Sequence, residues 1–109
     1  MRPDPFSVTV VQDDGRTVIT VRGELDLATA PALEEALLPG LRDGGSAVLD
    51  LRGLEFMDST GVRVIVAAHL AAEEHGGTLT VVRTPPDGAV ARVLEISGLD
   101  EVLNLADDV

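Results

Sequence analysis

Cysteine, tryptophan and tyrosine are absent from this chain, and only Phe6 and Phe56 carry aromatic rings. Without thiols there are no disulfides and no thiolate metal sites, and nothing demands an oxidising compartment. With aromatics at 2% of residues, there is no platform on which bases or sugars would stack. Basic side chains are also scarce: 8 against 19 acidic ones, for a net charge of −11. Nucleic acid is therefore a poor partner, because phosphate neutralisation dominates sequence-independent binding to it. An anionic membrane face is disfavoured for the same reason. Long apolar runs are missing as well. No segment approaches the roughly eighteen residues of a membrane span, and Met1-Arg2-Pro3-Asp4-Pro5 has no apolar signal core. The expectation is a soluble, cytoplasmic protein.

What is present suits one compact domain. The 109 residues are 45% hydrophobic, and the core must be aliphatic, built from Val, Leu, Ile and Ala. We read residues 1–109 as a single domain with an ordered core over about 6–105, a proline-bearing lead-in over 1–5 and a frayed tail over 106–109. The acidity fits a partner with a basic or mixed patch, and serves solubility equally well.

Phe6 to Val10 alternates apolar and polar residues, Asp13-Asp14-Gly15 is a turn signal, and Thr17 to Arg22 resumes the β pattern. This spacing predicts a hairpin, broken at Gly23. A loop from Gly23 to Ala30 leads into a helix, with Asp26 and Thr29 as possible caps and Pro31 in its first turn. Leu33, Ala36, Leu37 and Leu41 form its apolar stripe, and Pro39 predicts a kink before Asp43-Gly44-Gly45 ends it.

Ala47 to Leu51 reads as a buried central strand. A second helix follows Ser59, with Val62, Ile65, Val66 and Leu70 inward and a stop at His75-Gly76-Gly77. Thr78 to Val82 is another strand, and Asp87 is placed to cap a short helix carrying Val90, Val93 and Leu94. Gly98 ends that helix, and Glu101 to Leu105 forms a last strand or turn. The order β-β-α-β-α-β-α-β predicts an α/β fold: a single-layer mixed sheet of four to five strands with helices packed mainly on one face.

Asp58-Ser59-Thr60-Gly61 joins the central strand to the second helix. The free amides of a helix start carry about half a positive charge. A phosphoserine there would place about −1.5 to −2 charge where donors already point. Gly61 leaves the approach to the hydroxyl open. Spacing alone favours the simpler reading, in which Asp58 or Ser59 is an N-cap. A catalytic role for Ser59 needs a base, yet His69 and His75 lie about 15 and 24 Å along the helix, too far for a dyad. Both histidines read as solvent-facing. No metal-spaced cluster or glycine-rich phosphate loop is present, so neither an enzyme nor a cofactor is expected.

Four motifs occur in order: Gly23-Glu24-Leu25-Asp26, Ala30-Pro31, Phe56-Met57-Asp58-Ser59-Thr60-Gly61-Val62 and Ile96-Ser97-Gly98-Leu99. Together they resemble the STAS domain, specifically the stand-alone anti-sigma factor antagonists, over roughly residues 6 to 105. The resemblance implies a partner-switching regulator in a stress response. The unphosphorylated form would bind an anti-sigma factor with serine kinase activity and free a sigma factor. Phosphorylation would then end the complex, and a metal-dependent serine phosphatase would reset it.

The resemblance makes Ser59 the phosphoacceptor and Asp58 the acid that orients its loop and meets the partner. Glu24 and Asp26 supply the neighbouring docking loop, and Thr60, Gly61 and Arg63 complete the expected partner-binding set. Two positions depart from the family pattern: Arg63 stands where a small residue is common, and the Pro85-Pro86-Asp87 loop is slightly long. Arg63, four residues after Ser59, either pairs with a phosphate or faces solvent. A monomer or weak dimer is expected. The alternatives are a STAS subunit of a lipid-transport or stressosome-type assembly and, more remotely, a small enzyme of related fold.

Overall fold

The structure is a computed structural model that describes residues 6–109; the lead-in expected over 1–5 lies outside the described residues. Strands β1 (Ser7–Asp13) and β2 (Arg16–Leu25) form an antiparallel hairpin. Helix α1 (Ala30–Arg42) leads to β3 (Ala47–Met57), and α2 (Ser59–His75) to β4 (Leu79–Val82). Helix α3 (Ala89–Ile96), a 3-10 turn (Leu99–Glu101) and β5 (Asn104–Ala106) complete the chain. The five strands lie in sequence order, β2 to β5 all parallel, so the mixed sheet expected from the element order is the one observed. The hairpin turns through Asp14 and Gly15, both with positive φ (50° and 81°), the two-residue turn whose twist matches the flanking strands.

One face of the sheet carries the core. Ile19, Val21 and Leu25 of β2, Leu49 and Leu51 of β3, and Leu79 and Val81 of β4 point to the same side. Against them pack Leu33, Leu37 and Leu41 of α1, Val64, Ile65 and Ala68 of α2, and Val90 and Leu94 of α3. The opposite face holds a smaller patch of Val18, Val48 and Val82. Beside it Asp50 accepts from Arg52 Nε at 3.0 Å and Nη2 at 2.9 Å. These guanidinium bonds hold the Asp50 carboxyl below its ordinary range, against the opposing effect of burial.

Several local expectations change. Strand β2 runs through Gly23 to Leu25, because Gly23 adopts φ 93° inside the strand instead of ending it. Strand β3 continues six residues beyond Leu51 to Met57. Its partners jump from Thr20–Asp50 to Arg22–Gly53 and from Gly23–Leu54 to Glu24–Phe56, two bulges that each insert an extra β3 residue. Pro39 sits inside α1, which continues to Arg42. In α2 the buried set is Gly61, Val64, Ile65, Ala68, His69 and Ala72, while Leu70 is exposed, so the inward face is rotated from the one expected. His69 is therefore buried, with Nε2 3.0 Å from Glu73 Oε1. Gly88, not Asp87, is the N-cap position of α3. Ala106 belongs to β5, and beyond it Asp107 lies 3.2 Å from Arg83 and Asp108 3.1 Å from Arg52. Arg16 Nη2 also donates to the Val109 carbonyl at 2.8 Å.

Candidate functional site

The parallel strands β2 and β3 end side by side, Leu25 opposite Met57, and the Asp58 amide donates to the Leu25 carbonyl at 3.1 Å. Two loops consequently emerge together at the carboxyl ends of adjacent parallel strands, where open α/β sheets place their ligands. One loop carries Asp26, Leu27 and Ala28 into α1; the other is Asp58 alone, leading directly into α2.

Asp58 is the N-cap of α2. Its backbone is extended (φ −103°, ψ −170°) and its Oδ1 accepts the Thr60 amide at 2.8 Å. Of the two candidate caps, the aspartate takes the role. Ser59 becomes the first helical residue, exposed, and its hydroxyl forms no hydrogen bond among the described residues. Thr60 is half-buried behind the cap bond. Arg63 is exposed one turn along α2 and makes no ion pair among the described residues.

Gly61 has a different role from the one expected. It is buried, and a Cβ there would lie 2.6 Å from Met57 Cγ and 2.8 Å from Leu25 Cδ2. The missing side chain lets the first turn of α2 settle onto the ends of β2 and β3. So placed, Gly61 acts on the site through packing.

In the neighbouring loop, Asp26 Oδ1 accepts the amides of Ala28 at 3.0 Å and Thr29 at 3.3 Å. The Thr29 hydroxyl accepts the Asp26 amide at 2.9 Å and donates to the Glu24 carbonyl at 2.8 Å. Asp26 thus shapes its own loop, while Thr29 occupies the N-cap position of α1 without a side-chain cap bond. Glu24 is exposed opposite Phe56, which is also exposed. Leu27 stands 77% exposed at the tip between Asp26 and Thr29.

A third component was not recognised as part of the site from sequence. An open apolar groove of about 270 Å³ runs beside Ser59, walled by Met57 and Val62 on one side and by Val93 and Ile96 of α3 with its C-cap Ser97 on the other. Ile96 is 77% exposed. Its signal lay in Ile96-Ser97-Gly98-Leu99, where a large apolar residue directly precedes a helix-ending pair. Ser97 Oγ donates back to the Val93 carbonyl at 2.7 Å and Gly98 takes φ 77°, which turns the chain away and leaves Ile96 uncovered. Ser59, Glu24, Asp26, Asp58 and Thr60 are brought to one end of the sheet, whereas His69 and His75 lie further along α2.

The chain belongs to the STAS domain family: a family model described as "Mlab, STAS domain" matches residues 8–105. Over 104 residues it is 34% identical to the anti-sigma-F factor antagonist RsfB of Mycobacterium tuberculosis, covering 94% of this chain and 83% of that protein. It is 28% identical over 101 residues to the anti-sigma-B factor antagonist of Bacillus subtilis, covering 93% and 91%. The crystal structure of an anti-sigma factor antagonist from Mycobacterium paratuberculosis matches with a TM-score of 0.80 at 32% identity, over 99% of this chain and 91% of that one. No helix among the described residues is long and apolar enough to cross a membrane.

Proposed function

We propose that this domain is an anti-sigma factor antagonist, a regulatory binding module switched by phosphorylation of Ser59. The observation that carries this reading is the division of labour between neighbours. Asp58 caps α2, which leaves the Ser59 hydroxyl exposed, without a hydrogen bond among the described residues and beside an apolar groove. The relatives named as anti-sigma factor antagonists support the partner class.

In the unmodified state the groove, the exposed Leu27 and the acidic loop residues dock an anti-sigma factor that is also a serine kinase. In the kinase reaction the Ser59 oxygen attacks the γ-phosphorus of ATP, the bond to ADP breaks, and the hydroxyl proton is released. The product adds about −1.5 to −2 charge beside Asp58, at the edge of an apolar contact. Desolvating that charge weakens binding on the order of a hundredfold or more. A serine phosphatase hydrolyses the ester and restores the binding form.

Mass spectrometry after incubation with a candidate kinase and ATP tests the acceptor, and titration calorimetry tests the switch. The expected results are one phosphate at Ser59, tight binding by Ser59→Ala and lost binding by Ser59→Asp. If Ser59→Asp bound a cognate anti-sigma factor as well as the parent, the switch would be wrong. A constitutive subunit of a larger assembly would then be the better reading.

A further inference from the structure

Helix α3 has a cleft on each flank. Val93 and Ile96 wall the groove beside Ser59, whereas Ala91, Leu94 and Glu95 line a second cleft of about 130 Å³. At roughly 100° per residue, these two sets lie on opposite sides of the helix. Thr84 and Pro86, just past the end of β4, form the facing wall of the second cleft. Because β4 runs parallel to β3, that wall stands at the same end of the sheet as Ser59. Pro86 belongs to the loop whose length departs from the family pattern. The Gly88 amide closes this loop onto the Pro85 carbonyl at 3.0 Å, and two adjacent prolines with fixed φ stiffen it.

The cleft is built of acceptors. Thr84 is only 4% exposed, and its hydroxyl oxygen, shut off from solvent, has no hydrogen-bond partner among the described residues. A buried hydroxyl in this state costs stability that a bound donor recovers. Rotation between staggered χ1 wells is the motion by which it meets an occupant. Glu95 and Asp100 are exposed in the lining, and neither side chain has a hydrogen bond or ion pair among the described residues. Arg83 is the cation in the lining, and Asp107 engages its Nε at 3.2 Å. Arg92 lines neither cleft.

Size and charge together select the occupant. About 130 Å³ is well below the roughly 300–1,000 Å³ of sites for cofactor-sized ligands, yet it holds the head of one side chain. Two uncommitted carboxylates repel an anion, and an apolar head would leave the Thr84 hydroxyl without a partner. Guanidinium and ammonium groups, which only donate and carry positive charge, match all three acceptors.

We propose that this cleft receives one basic side chain of the anti-sigma factor docked at the Ser59 groove. Arginine fits best, because its planar fork can meet two acceptors at once. Given the antagonist reading on which this rests, the partner must carry that cation one helix diameter from its contact with Ile96. That span is about 10–12 Å, and an ordinary interface of about 800 Å² per partner covers both flanks of α3. The apolar contact then anchors the partner, while the charge fixes its orientation and disfavours partners that lack it.

Titration calorimetry with a cognate anti-sigma factor tests this, with Ser59→Asp as the control for the switch. The double variant Glu95→Gln, Asp100→Asn should bind at least about tenfold more weakly, and the difference should shrink at high salt. Glu74→Gln removes a carboxylate of α2 outside both clefts and should change affinity less than about twofold, which separates the cleft from the overall charge. Thr84→Val removes the unpartnered hydroxyl. The Tm of the free domain should hold or rise, while partner affinity falls about threefold or more. A hydroxyl with a merely structural role would lower both. Parent-like affinity in the folded double variant, a loss independent of salt, an equal loss in Glu74→Gln, or a lowered Tm in Thr84→Val would each overturn the cleft assignment. The switch at Ser59 would survive any of these if Ser59→Asp still lost binding, and would fall by itself if Ser59→Asp bound as the parent does.

Discussion

The Asp58 carboxylate accepts the Thr60 amide at 2.8 Å, bridging over Ser59, which lies between them in sequence. Stability and modification are thereby assigned to adjacent side chains. Asp58→Ala should lower stability by about 0.5–2 kcal/mol, the usual loss for an N-cap. Ser59→Ala should stay within about 0.5 kcal/mol of the parent, since no hydrogen bond among the described residues uses that hydroxyl. Urea unfolding of the two variants checks both values, and equal losses would show the cap to be misassigned.

Gly61→Ala sets helix propensity against packing. Alanine gains about 1 kcal/mol over glycine in a helix interior. Its Cβ, however, would stand 2.6 Å from Met57 Cγ and 2.9 Å from Leu25 Cγ, neither of which is the free end of a side chain. Overpacking of this kind costs about 1–3 kcal/mol, so the expected net result is destabilisation and a lower Tm. A Tm equal to or above the parent's would mean that the α2 start has room to shift.

Acid titration should expose Asp50. Its carboxyl is held below the ordinary 3.8, first by the side-chain hydrogen bonds from Arg52, with smaller help from the Arg52 backbone and the charges of Arg52 and Arg22. The folded state then binds fewer protons than the unfolded chain, so stability falls as pH falls. The contribution is fully present above 3.8 and is lost as pH drops through the lower folded value. Urea midpoints measured from about pH 5 downward should converge for the parent and Asp50→Asn. A gap that stayed constant across that range would exclude the linkage.

Ile96 should matter to binding and not to folding. At 77% exposure it adds little to the core, yet it walls the groove beside Ser59. Ile96→Ser should leave the urea midpoint unchanged and weaken a cognate anti-sigma factor by about ten- to a hundredfold, the range of an apolar anchor. Titration calorimetry reads this directly, and parent-like affinity would remove the groove from the interface.

The element order was legible because turns and caps punctuate it: Asp14-Gly15, Gly44-Gly45 and Gly76-Gly77 all fall at element boundaries. Strand β3 was cut short because its two bulges replace strict alternation with buried residues at Leu51, Leu54 and Met57. That spacing of three breaks the two-residue period by which strands are recognised. Ser59, Asp58, Glu24 and Asp26 were singled out by motifs that resemble the STAS pattern, since local chemistry alone favours a plain N-cap, and the fold brings all four to one end of the sheet. The Ile96 wall was not legible, because its proximity to Ser59 depends on how α3 crosses the sheet. Nor was the burial of Gly61, which follows from side chains on two strands.

The hydrogen bond from the Asp58 amide to the Leu25 carbonyl has a thermodynamic consequence. The two loops it fastens together come from distant parts of the sequence and coexist only when β2 and β3 are in register. Any partner that grips both loops binds the folded chain alone and acts as a folding ligand. At a hundred times its dissociation constant it would add about 2.7 kcal/mol to the stability of the domain. Release of that partner withdraws the same amount. Under the proposed switch, the phosphorylated chain would therefore be the form more readily lost to proteolysis.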